Sequence, residues 1–206
     1  MIRLYRAPWS TNVERVALAL AHKGLEVESV LISYDDRSPV IEVSGQELVP
    51  VIVDDDGTVV SDSPAILRYL EERYPAAPLY PSDPAARAEM EGFIEWFNEV
   101  WKPAPNGIEE ELEQPSPDGL RVELLSSRMR GWLDRFEALL ARREYLLGER
   151  FSAADCIAFP FLKYAAGRDP ADDELFHRIL DEHQSVEGRP ALAAWIERVG
   201  ALPRAY

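Results

Sequence analysis

Residues 49–75 read Val-Pro-Val-Ile-Val-Asp-Asp-Asp-Gly-Thr-Val-Val-Ser-Asp-Ser-Pro-Ala-Ile-Leu-Arg-Tyr-Leu-Glu-Glu-Arg-Tyr-Pro. Two short β-rich runs, 51–53 and 58–60, flank Asp54-Asp55-Asp56-Gly57. An Asp-Gly step between apolar runs signals a hairpin. A helix is expected next. Asp62 or Ser63 can cap it, and Pro64 suits its first turn. Ile66, Leu67, Leu70 and Tyr74 recur at helical spacing, and Pro75 closes the segment. The unit is X-Pro, strand, turn, strand, capped helix.

Upstream, residues 1–6 alternate as a strand, with Ile2 and Leu4 on one face. Ala7-Pro8-Trp9-Ser10-Thr11-Asn12 forms a loop with several candidate helix caps. Residues 13–23 predict an amphipathic helix whose buried face is Val13, Val16, Ala17, Leu20 and Ala21, ended by Gly24. Residues 26–33 alternate again, which predicts a strand parallel to the first, with Val27, Leu31 and Ile32 buried. The weak pattern of 35–48 predicts a short or irregular helix. The order is β-α-β-α-β-β-α.

Downstream, Pro75, Pro78, Pro81 and Pro84 mark 77–84 as a linker between domains 1–76 and 85–206. Beyond it the patterns are helical. Phe93, Trp96, Phe97, Val100 and Trp101 share one stripe. Residues 102–119 hold four prolines and predict a loop or broken helix. Residues 120–143 predict a long helix facing inward through Leu124, Leu125, Met129, Trp132, Leu133, Phe136, Leu139 and Leu140. Ser152 and Asp155 stand at capping-box spacing, with Phe151 and Cys156 at the staple positions. Pro160 is expected to kink or split that helix. Residues 172–184 and 190–199 supply the last helices, and the polar helix of His177 and His183 offers them no partner nearby in sequence.

Composition narrows the function classes. The 206 residues, 47% apolar and 29% charged, suffice for one large domain or two small ones with a real core. A net charge of −15 argues against nucleic-acid and anionic-membrane partners, which need basic surface. No apolar run reaches the roughly 20 residues of a membrane span. The N-terminus enters a strand pattern with no secretory apolar region. A lone cysteine, Cys156, leaves no intrachain disulfide and fits a cytoplasmic protein. Three dispersed histidines and one cysteine make a Cys/His metal site an unfavoured reading, so no metal is expected.

Three stretches, 10–24, 49–70 and 148–162, resemble the glutathione transferase family, cytosolic and serine-type. The resemblance implies a thioredoxin-like α/β N-terminal domain and an all-α C-terminal helical bundle. It implies a cis Val49-Pro50 bond, with the Val49 backbone pairing the cysteinyl backbone of glutathione. Asp62 and Ser63 would hold the γ-glutamyl end, where a helix N-terminus favours a carboxylate and Asp62 can receive an ammonium. Ser152-x-x-Asp155 resembles the folding cap of the family's helical domain, so Asp155 is not read as catalytic.

Ser10 matches the family's catalytic serine at the end of the first strand. An unperturbed thiol has a pKa near about 8.5. A hydroxyl donating to the sulfur of glutathione favours the thiolate and lowers that value. The thiolate then attacks the electrophile, and Ser10 is not itself the nucleophile. Ser10-Thr11-Asn12-Val13 stands where a redox relative carries Cys-x-x-Cys, which excludes dithiol chemistry. Leu48 stands where many relatives carry Gln or Lys against the glycyl end of glutathione; Gln46, or a residue near Arg37, is the candidate substitute. Trp9 and Asn12, with Phe97 and Trp101, are the candidates for an apolar second-substrate pocket.

The resemblance therefore implies glutathione as co-substrate, a small hydrophobic electrophile, a homodimer and a role in detoxification. Conjugation is the leading chemistry, with isomerase, peroxidase or dehalogenase chemistry related to it. A maleylacetoacetate-type isomerase normally carries Ser-Ser-Cys where this chain has Trp9-Ser10-Thr11. The alternative reading is a glutathione-transferase fold used for binding without turnover.

Overall fold

The computed structural model of the chain describes residues 1–33 and 35–206. It divides into two compact units, Met1–Asp83 with Leu202–Tyr206, and Pro84–Ala201.

The first unit runs β1 (Ile2–Arg6), α1 (Thr11–His22), β2 (Val27–Leu31), α2 (Ser38–Ser44), β3 (Val51–Val53), β4 (Val59–Ser61) and α3 (Ser63–Arg73). The strands form one mixed sheet in the order β2-β1-β3-β4. β2 lies parallel to β1, and β3 lies antiparallel to both β1 and β4. This is the thioredoxin-like arrangement. Tyr5, Val51 and Val53 pack with Ile32 from beyond β2 and Val40 from α2 in one apolar cluster.

Two details of this unit depart from the alternating pattern. Leu31, expected inside, is 60% exposed. Val30 and Ile32 take the inward face instead, held by the Ile32 N–H donating to the Arg6 carbonyl at 2.8 Å. β2 is an edge strand of the sheet, and Leu31 points to its uncovered face. The helix α1 is buried on every face, Glu14 and Arg15 included, rather than along one stripe. Residues Leu202–Tyr206 lie over it: the Ala205 N–H donates to the Ala17 carbonyl at 3.1 Å, and Arg204 pairs with Glu14 at 2.9 Å. Gly24 follows the helix at φ 66, a left-handed stop that a side chain would strain.

The hairpin is tied to α3 through Asp54. Its carboxylate accepts from the Tyr69 hydroxyl at 2.5 Å and the Tyr74 hydroxyl at 2.6 Å. Burial alone would raise the Asp54 pKa, but the two phenols outweigh it and the net shift is downward. Lys23 closes the other side, reaching Glu71 at 2.8 Å and the Tyr74 carbonyl at 2.9 Å.

The second unit runs α4 (Pro84–Trp96), a π-helical turn (Phe97–Trp101), α5 (Pro103–Leu112), α6 (Gly119–Leu140), α7 (Ala153–Leu162), a 3-10 turn (Lys163–Ala166), α8 (Leu175–Glu182) and α9 (Pro190–Gly200). The loop or broken helix expected over 102–119 is in large part the regular helix α5. Its prolines explain this. Pro103 and Pro105 sit in the first turn, whose N–H groups have no intrahelical acceptor, so they remove no bond there. The preceding wide turn closes with the Lys102 N–H on the Phe97 carbonyl, at 2.9 Å.

Along α6 the inward residues are Met129, Trp132, Leu133, Phe136 and Leu140, but Leu124 is 70% exposed. Pro160 does not split α7, which continues to Leu162 before tightening into the 3-10 turn. The capping box forms as expected. The Asp155 carboxylate accepts from the Ser152 N–H and hydroxyl, both at 2.9 Å, and also from Leu146 N–H at 3.0 Å and Trp195 Nε1 at 2.8 Å. Complete burial pushes its pKa up to about 6 against the pull of these donors. The two histidines of α8 do find partners. His177 Nδ1 lies 2.9 Å from the Asp172 carboxylate, and His183 Nδ1 lies 2.9 Å from the Ser126 hydroxyl.

Candidate active site

The strand registers bring three stretches to one end of the sheet. Tyr5 pairs with Val51 across β1 and β3, and Val51 pairs with Ser61 across β3 and β4. Beyond those pairs lie the loop to Ser10, the Val49-Pro50 step and the Asp62-Ser63 step. All three lie at the same end of the sheet, beyond the carboxyl end of β1, where ligands gather in open α/β folds. The Val49-Pro50 bond is cis.

Ser10 is the N-cap of α1. Its Oγ accepts from the Val13 N–H at 3.3 Å, and the residue is half-buried. That bond occupies a lone pair and leaves the hydroxyl proton to be given elsewhere. The cap and a donor role are thus compatible. Trp9, just before it, holds φ 61 and is 45% exposed. A non-glycine residue in this region carries backbone strain. Thr11 is buried and Asn12 half-buried.

Asp62 is the N-cap of α3. It is exposed, holds φ 72, and accepts from the Ala65 N–H at 3.3 Å. Ser63 follows as the first helical residue and is buried. Its hydroxyl accepts from Arg15 Nη1 at 3.2 Å. Arg15 is the residue that the sequence pattern misses. A guanidinium at 1% exposure is unexpected on a helix surface, and here it joins α1, which begins at Ser10, to the start of α3.

Other sequence-level candidates are placed differently. Phe97 and Trp101 have no exposed surface and stack on each other at 4.5 Å within the helical unit. They are core, as edge contacts of both to Phe161 confirm. Gln46 does not reach outward for the glycyl end. Its Oε1 accepts from the Leu48 N–H at 2.5 Å, and its Nε2 donates to the Leu48 carbonyl at 2.9 Å and to Ser44 Oγ at 3.0 Å. Among the described residues, Asp54, Asp55 and Asp56 form the one group of three metal-ligand types within 4.8 Å. Asp54 is already committed to two phenols. No described helix is long and apolar enough to cross a membrane.

Comparison with known proteins bears on the same segments. The family model described as glutathione S-transferase, N-terminal domain, matches residues 4–78, and the one for the C-terminal domain matches residues 122–198. Glutathione S-transferase 3 of Zea mays is 31% identical, over 98% of this chain and 90% of that protein.

The chain belongs to the glutathione S-transferase family.

Within the family, isomerases are also similar to it. The maleylacetoacetate isomerase of Pseudomonas aeruginosa is 33% identical over 81% of this chain and 82% of that protein. Among solved structures, a glutathione S-transferase from Methylobacillus flagellatus KT with gsh bound superposes with a TM-score of 0.77. It is 25% identical, covering 96% of this chain and 94% of that one. Both the thioredoxin-like domain and the helical domain of this chain are therefore those of a glutathione S-transferase.

Proposed function

We propose that this chain is a serine-type glutathione transferase, in which Ser10 activates the thiol of bound glutathione for attack on a small electrophile. The observation that carries the reading is the strand register, which brings the Ser10 cap, Val49 and the Asp62-Ser63 cap to one sheet end. In this reading the cysteinyl backbone pairs with Val49. The γ-glutamyl carboxylate meets the N-terminus of α3, and its ammonium meets the exposed Asp62 carboxylate. Ser10 accepts from Val13 and donates to the sulfur, which stabilises the thiolate without a base. Trp9 and Asn12 adjoin Ser10 and would meet the electrophile. Conjugation and isomerisation share this first step, so the similarity to a maleylacetoacetate isomerase agrees with it.

The test is titration calorimetry with glutathione on the wild type and Asp62→Ala. The reading expects binding that weakens at least about tenfold in Asp62→Ala, since a charged hydrogen-bonded contact contributes roughly that much. Absence of binding at millimolar glutathione would overturn it. A steady-state assay with a chloronitrobenzene then separates catalysis from mere binding: turnover must depend on Ser10.

A further inference from the structure

We infer that Ser126 and His183 form a proton-operated clasp between α6 and α8, closed while the His183 ring is neutral and opened when the ring takes up a proton. The two residues stand 57 positions apart in sequence, and both belong to the helical unit. The inference is independent of how a thiol is bound.

The place of each proton follows from the donors present. Ser126 is fully buried on α6. Its Oγ lies 2.5 Å from Arg130 Nη1 and 2.9 Å from His183 Nδ1. A guanidinium only donates, so Arg130 occupies a lone pair of the hydroxyl. The single hydroxyl proton is left for His183 Nδ1, which accepts it and so carries no proton of its own. In the closed clasp His183 is therefore neutral, with its proton on Nε2. Protonation at Nδ1 turns this acceptor into a donor. Ser126 then faces two donors, and its own buried proton loses its acceptor.

The surroundings of the ring act in the same direction. His183 is half-buried at the C-terminal end of α8, and its pKa lies below the ordinary 6.5. Burial is the main cause. Arg130 lowers the value further, against Glu182 beside it and Glu123 on α6, which raise it. Glu123 also accepts from Arg130 Nη2 at 2.6 Å, which holds the cation against Ser126. With the folded pKa lowered, the unfolded chain takes the proton first. The contribution of the clasp is thus full above about 6.5 and is lost as pH falls through the folded value. What loosens is the last turn of α8, where the His183 N–H donates to the Ile179 carbonyl at 3.0 Å. Further along, Arg189 ties the chain back to α6 through Asp134 at 2.7 Å, so the opening stays local.

Nitrogen-15 NMR of the histidine side chains in the full chain, with amide hydrogen exchange at two pH values, tests this. In wild type at pH 7.5 the His183 proton is expected on Nε2, and the ring is expected to titrate below 6.5. Ser126→Ala should move that titration upward, because no donor then favours the unprotonated nitrogen. Relative to intrinsic rates, the amides of 179–183 should exchange about three- to tenfold faster at pH 5.0 than at pH 7.5. His183→Gln keeps an acceptor that does not protonate, and there the two rates should agree. A proton on Nδ1 at pH 7.5, a titration at or above 6.5, or equal exchange of these wild-type amides at both pH values would each overturn the inference. The wild-type measurements decide this even where a variant fails to fold.

Discussion

Arg15 and Ser63 stand 48 positions apart in sequence and 3.2 Å apart in space, guanidinium to hydroxyl. The bond is buried at both ends and links the helix that starts at Ser10 to the helix that starts at Asp62-Ser63. Replacing Arg15 by leucine removes the donor and leaves the Ser63 hydroxyl buried without it. A hydrogen bond from a charged group contributes roughly 1.5–3 kcal/mol, so urea unfolding should show a loss of that order. Glutathione affinity should drop as well, because the start of α3 loses its tie to α1, while the Lys23–Glu71 pair at the other end of α1 remains. Arg15→Lys should recover part of both. Unchanged affinity in Arg15→Leu would show that the link is purely structural.

The Asp54 clasp predicts a coupled pair. Tyr69→Phe and Tyr74→Phe each remove one hydroxyl from the same carboxylate. Each should cost about 1–2 kcal/mol in urea unfolding, and the double variant should deviate from additivity. The clasp lowers the Asp54 pKa in the fold, so its contribution is full above the unfolded value. It is lost as pH falls through the folded value, and both variants should flatten that acid limb.

Asp155 has the opposite sign. Its folded pKa, about 6, lies above the ordinary 3.8. The folded state therefore binds the extra proton between those values, and this group's contribution is full below about 4 and lost as pH rises to about 6. Relative to Asp155→Asn, wild type should gain stability on acidification across that window. Asp155→Asn should itself be less stable at pH 7 by about 2–4 kcal/mol, because an amide nitrogen would face donors from Leu146, Ser152 and Trp195. A flat difference between the two proteins from pH 4 to 6 would contradict this.

The last five residues clamp the first unit. Arg204→Ala leaves Glu14, which is buried, without that partner. About 2–3 kcal/mol should be lost, and adding Glu14→Gln should restore part of it. Equilibrium unfolding of the single and double variants measures both steps.

The sequence made the local signals readable and the tertiary ones not. The hairpin, the Ser10 and Asp62 caps and the Ser152–Asp155 box each lie within a few residues and have a short-range physical cause. Arg15 was hidden because helical periodicity assigns charge to the solvent face, while α1 is covered on all sides. The cover at Ala17 and Glu14 comes from residues near the far end of the chain. Helix α5 was hidden by its prolines, which are harmless only because they fall in its first turn. Phe97 and Trp101 looked like candidates for a pocket because aromatic stripes serve cores and sites alike; only packing distinguishes the two.

In the proposed mechanism Ser10 stabilises the thiolate of bound glutathione. Ultraviolet titration of the enzyme-bound thiol, in wild type and Ser10→Ala, tests it most directly. The bound thiol of wild type should titrate well below the free value of about 8.5, and Ser10→Ala should return it upward by about 1–2 units with binding retained. An equal thiol pKa in the two proteins, both with glutathione bound, would contradict it.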